Sequence, residues 1–68
     1  MKKYYVDKNR QPKGEHEVHK EGCKGMPSDK NRIYLGEFYA CTLAVNEAKK
    51  HYFKVDGCYA CCRECCTR

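Results

Sequence analysis

Five of the eleven residues in CYACCRECCTR, from Cys58 onward, are cysteine, and two more stand at Cys23 and Cys41. The chemistry of these seven sulfurs constrains the 68-residue chain more than any other feature. A chain of this length forms one domain, buries little apolar surface, and generally needs a staple: disulfides, a structural metal or a second subunit. The amino-terminal stretch MKKYYVDKNRQPKGE lacks the apolar run of about 7 to 15 residues that marks a secretory signal. Nor does any segment approach the roughly 18 apolar residues of a membrane span. The chain is therefore expected to be soluble and cytoplasmic, with no membrane partner, in a compartment where thiols stay reduced. An odd cysteine count leaves one thiol over in any set of internal disulfides. Both considerations favour metal binding over a disulfide framework.

The tail spacing points the same way. Cys58, Cys61, Cys62 and Cys65 form two overlapping pairs, each separated by two residues, a spacing at which a tight turn presents two thiolates to one tetrahedral ion. Zinc is the expected metal, because its preference for sulfur and nitrogen, without redox chemistry, suits a structural role. Ordinary zinc ribbons hold their two pairs a dozen or more residues apart. Because Cys61 and Cys62 are adjacent, the four need not share one ion. Further donors stand in HEVHKEGC, where His16, His19 and Cys23 can complete a mixed site with two or three tail cysteines. On an extended strand His16 and His19 point to opposite faces. Each histidine taken alone reads as an exposed strand residue, and His51 as a surface residue of a helix. The HEVH segment lacks the four-residue histidine spacing of zinc proteases, and neither cysteine pair has the context of a redox or haem-attachment motif.

Hydrophobic patterning places the remainder. In KKYYVD, Tyr4 and Val6 alternate with Tyr5, predicting a first strand over 2–7. The loop at 8–15 contains Asn9, Pro12 and Gly14, residues suited to turns. A polar second strand follows in HEVHKE, with Val18 inward and one face open to solvent. After an exposed loop over 22–31, RIYLGEF predicts the most apolar strand, central and covered on both sides, with Ile33 and Leu35 opposite Tyr34 and Phe38. Cys41, Ala44, Val45, Ala48 and Tyr52 then mark one buried helical stripe. There Cys41 is expected to act as a small core hydrophobe, and Thr42 offers only a poor cap, since Val45 stands where a capping box places Glu or Gln. Asp56-Gly57 reads as the turn that ends this helix soon after Val55. The expected fold is α+β, a three-stranded antiparallel sheet followed by one helix: a single domain with a β-β-β-α core over 1–55 and a Cys-rich tail over 56–68.

The blocks YYVDKN, GEHEVHKEGC, RIYLGEF with the alanine-spaced helix, and GCYACC resemble a group of short bacterial proteins of unknown function, over nearly the whole chain. The LGEF turn and helix are also similar in fold to three-strand, one-helix modules of the YegP type, which pair as tandem repeats or homodimers. That likeness implies self-association and no particular chemistry. A physical motive exists as well, since one helix covers only one face of such a sheet and leaves Tyr5, Tyr34 and Phe38 on the other.

No catalytic set can be placed: Ser28 is the only serine, in a loop, and neither a carboxylate pair nor a phosphate-cradling glycine loop is present. The leading expectation is a small non-enzymatic binding or structural module, zinc-stabilised and homodimeric. A thiol-active redox protein or metal carrier is second, and predicts low thiol pKa values and rapid alkylation. A nucleic-acid-binding module is third, resting on the formal charge of +5 and six tyrosines. The basic residues are scattered, and four thiolates around a divalent ion would lower that charge by about two.

Overall fold

The structure, a computed structural model, describes residues 1–67; Arg68, the last residue of the expected tail, lies outside them. Four strands form one sheet: β1 (Lys2–Asp7), β2 (His16–Lys20), β3 (Arg32–Phe38) and β4 (Val55–Gly57), in the order β3-β1-β2-β4. A helix, α1 (Cys41–Ala48), follows β3, and short 3-10 turns occupy Asp29–Asn31 and Arg63–Cys65. The α+β class holds. The sheet, however, is four-stranded and mixed rather than three-stranded and antiparallel, because β4 joins β2 in parallel, His16 opposite Val55 and Val18 opposite Gly57.

The ladder β1–β2 is antiparallel, pairing Tyr5 with His19 and Val6 with Val18, and the intervening loop is closed by Gln11 N–H donating to the Glu15 carbonyl at 2.8 Å. Pairing of β1 with β3 shifts register between Tyr4 and Tyr5, which stand opposite Gly36 and Tyr34 and leave Leu35 as the extra residue of a bulge. Gly36 holds φ at +125°, a conformation that L side chains rarely adopt. The bulge breaks the two-residue alternation. Ile33, Leu35 and Phe38 all pack on the core, while Tyr34 stays exposed beside Tyr5 with ring centroids 5.3 Å apart. Phe38 therefore does not share the outer face with Tyr34, and β3 is an edge strand; β1 and β2 are central.

The helix is shorter than its stripe. Cys41, Ala44 and Ala48 are buried against the sheet, and their small side chains let the helix approach closely. After Ala48 the hydrogen bonds tighten, with His51 N–H donating to the Ala48 carbonyl at 2.9 Å. Tyr52 leaves the helix and stacks on His16, ring centroids 3.6 Å apart. Residues 53 and 54 then carry the chain into β4, so Asp56-Gly57 is strand, not a helix-ending turn. Ala40 occupies the N-cap position without a side-chain hydrogen bond, and the Thr42 hydroxyl lies 3.5 Å from the Cys65 sulfur instead.

The core consists of Tyr4, Val6, Val18, Leu35, Cys41, Ala44, Ala48 and Cys62. Fully burying a valine contributes about 1.5–3 kcal/mol, and with half of the eight residues alanine or cysteine, cross-links matter here. Among the described residues no helix is long and apolar enough to cross a membrane.

Candidate metal centre

Beyond β4 the tail turns back along the sheet. Cys58 N–H donates to the Val18 carbonyl at 2.9 Å, extending the β2–β4 ladder by one bond, and Cys62 N–H donates to the Cys58 carbonyl at 2.8 Å. The intervening turn carries the Cys61 sulfur over the end of β2, where Lys20 N–H donates to it at 3.2 Å. From the other side, the chain leaving β2 bends at once, since Cys23 N–H donates to the Lys20 carbonyl at 3.1 Å. That bend returns Cys23 over His19.

Four donors converge as a result: His19, Cys23, Cys58 and Cys61, with ligand atoms all within 4.8 Å of one another. The His19 Nδ1 to Cys23 Sγ separation is 3.6 Å and the Cys23 to Cys58 sulfur separation is 3.9 Å. A tetrahedral ion with bonds of about 2.0–2.3 Å holds its ligands about 3.5–3.8 Å apart, so the first edge has that length and the second is slightly longer. The set is one nitrogen and three sulfurs, a composition typical of closed structural sites.

The electrostatics suit a cation. Burial lowers the His19 pKa, against smaller opposing effects of Glu17 and Asp7, so the imidazole is held neutral with a lone pair to give. With Nδ1 toward the sulfurs, the buried Nε2 has no hydrogen-bond partner among the described residues, and Glu17 Oε1 is 3.7 Å away. A carboxylate behind a histidine fixes the tautomer and orients the ring in metal sites. Burial pushes the Cys61 thiol pKa well up, only partly offset by the Lys20 amide. A divalent cation is what makes three neighbouring thiolates tolerable in such surroundings.

The expected tail quartet is thus divided. Cys58 and Cys61 lie in the cluster; Cys62 is fully buried in the core, its sulfur 4.0 Å from that of Cys61. Cys65 is disulfide-bonded to Cys41, which corrects the expectations that Cys41 serves as a packing residue and that Cys65 belongs to the metal-binding quartet. Cys23, Cys58, Cys61, Cys62 and Cys66 carry free thiols. Of the additional donors, His19 and Cys23 belong to the cluster and His16 does not. His16 is buried, with Nδ1 2.8 Å from the Asp7 carbonyl and its ring on Tyr52, and His19 is buried too, so neither is the exposed strand residue its sequence context suggests. Glu17 escaped the sequence reading; its place two residues before His19 on the same strand face is the signal that pointed to it.

Gly57 makes the close return of the tail possible. A Cβ there would lie 2.6 Å from the Cys62 carbonyl oxygen and 2.8 Å from Cys65 Cβ. Farther along, Asp56 is buried and accepts hydrogen bonds from the Thr67 amide at 3.0 Å and the Thr67 hydroxyl at 3.2 Å. A separate groove of about 420 Å³ is lined by Lys13, Lys49, Lys54, Phe53 and the buried carboxylates Glu15 and Asp56, so its charge is mixed, and none of the four clustered donors lines it.

Comparison with known proteins returns nothing: no family model, no curated protein and no solved structure matches the chain.

Proposed function

We propose that this chain is a small, non-enzymatic, zinc-stabilised binding or structural module in which one ion, held by His19, Cys23, Cys58 and Cys61, clasps the Cys-rich tail to the end of β2. The convergence of those four donors to within 4.8 Å carries the reading. Zinc fits the nitrogen–sulfur set and the fourfold coordination. The ion would join residues nearly forty positions apart in a domain whose core is small, and removing it would lower stability directly. The second reading, a thiol-active protein, needs accessible thiols with depressed pKa values, whereas burial raises those of both Cys61 and Cys62. Self-pairing would use the sheet face bearing Tyr5 and Tyr34, the latter about half exposed, and would show as a dimer in sedimentation that Tyr34→Ser returns to monomer.

Protein purified without chelator should hold one zinc per chain by elemental analysis. Cobalt in its place should give the intense visible absorption of a tetrahedral thiolate site. Cys58→Ser should abolish that absorption and Cys66→Ser should leave it intact. Failure of the wild-type chain to hold zinc or cobalt would falsify the proposal.

A further inference from the structure

The segment from Cys58 to Cys65 is tied by a disulfide and, once a metal binds, would carry a second cross-link. Its first half supplies Cys58 and Cys61 to the donor cluster, and its last residue is bonded to Cys41 at the start of α1. There is no slack between the two. Cys62 N–H donates to the Cys58 carbonyl at 2.8 Å and Cys65 N–H to the Cys62 carbonyl at 2.9 Å, so consecutive turns connect them. Cys62 is locked into the core between the two anchor points, and Gly57 lies against both Cys62 and Cys65 with no space for a methyl group.

The geometry points to thiol–disulfide control of the metal centre: the Cys41–Cys65 disulfide holds the tail in the conformation that binds zinc, and its reduction weakens that binding. This inference rests on the zinc reading above. Each cross-link alone restricts the same stretch of chain, and once one is made, less conformational entropy is left for the other to remove. The two are therefore coupled, and coupling is reciprocal. Zinc in the site must resist reduction of the disulfide by the same factor by which the disulfide strengthens zinc binding. The reductant is a low-molecular-weight monothiol such as glutathione. Two monothiol molecules supply two electrons and two protons, the Cys41–Cys65 bond breaks to two thiols, and the monothiol leaves as its own disulfide. Cys23, Cys58 and Cys61 are not consumed in this step and remain the metal's ligands.

The test has two independent arms. In the first, zinc affinity of the wild-type chain and of a Cys41→Ser/Cys65→Ser variant is measured by competition with a chelator, with circular dichroism confirming that the zinc-loaded variant is folded. In the second, wild-type protein is equilibrated in glutathione buffers with and without zinc, and the Cys41–Cys65 bond is quantified by alkylation and peptide mass mapping. The expected result is zinc binding weaker by about tenfold in the variant, within the usual range of coupling. In the second arm the midpoint of the disulfide should be more reducing by about 30 mV with zinc, the same tenfold factor for a two-electron couple. Equal affinities with an unmoved midpoint overturn the coupling while leaving the metal site standing. A wild-type chain that binds no zinc at all overturns both readings. If the variant fails to fold, the second arm decides alone.

Discussion

His19 has the most to reveal among single residues. Its pKa is lowered by burial, so the folded chain keeps the ring neutral while the unfolded chain takes up a proton near the ordinary histidine pKa of about 6.5. The unfolded state binds more protons below that value, and stability must fall as pH drops through it. In metal-free protein this acid loss should be seen in denaturant midpoints between pH 7 and pH 5, and His19→Gln should flatten it; an unchanged slope would show that the ring is not held neutral. In the loaded protein protons also compete for the thiolates, which moves the acid limb to a pH set by metal affinity. Behind the ring, where Glu17 Oε1 lies 3.7 Å from Nε2, beyond hydrogen-bond length, Glu17→Gln should weaken zinc binding by less than the roughly 10- to 100-fold that losing a hydrogen-bonded carboxylate partner costs. Chelator competition reads this directly. Gly57→Ala should cost about 1–3 kcal/mol, as overpacking does, because the added methyl meets backbone of the tail.

The elements differ in how openly the chain announces them. Strands β1 and β2 follow two-residue alternation around Val6 and Val18, and the start of α1 follows the stripe of Cys41, Ala44 and Ala48. All of this is local information and could be read directly. The bulge in β3 was hidden, since its effect on Phe38 depends on pairing with Tyr4 and Tyr5 across the sheet. Likewise β4 is three residues long, and Val-Asp-Gly carries no alternation; only its contact with β2, nearly forty residues earlier, makes it a strand. Tyr52 satisfied the helical period yet lies on His16, so periodicity could not reveal that α1 stops at Ala48. At the candidate site, the Cys58–Cys61 pair was legible from spacing and the His19–Cys23 pair was visible as a source of donors. Which sulfurs meet was not, because the Cys41–Cys65 pairing is set by where α1 docks. Gly36→Ala tests the bulge: the new methyl would contact the Phe38 ring at 3.3 Å in a backbone conformation that only glycine enters freely. A loss of about 1 kcal/mol or more is expected from the backbone alone, seen as a lower denaturant midpoint.

For the molecule as a whole, the core of eight buried residues, four of them alanine or cysteine, makes stability depend on cross-links. Chelation of the loaded protein should lower Tm by about 4–8 °C for each kcal/mol of binding free energy removed, the relation for domains of this size. Calorimetry with and without chelator measures the shift, and a Tm that does not move would show that the ion contributes nothing to folding. The +5 charge of the chain falls when thiolates outnumber the charge of the ion, so metal loading should also make the protein migrate as less basic in native electrophoresis.

The adjacent pair Cys61 and Cys62 has a further consequence. One sulfur belongs to the donor cluster and the next to the packed interior, 4.0 Å away. A single peptide unit therefore translates packing under α1 into the spacing of the donor cluster. A methyl added or removed at Ala44 or Ala48, neither of which is a donor, should register in the absorption spectrum of bound cobalt, which then serves as a gauge of strain in the interior.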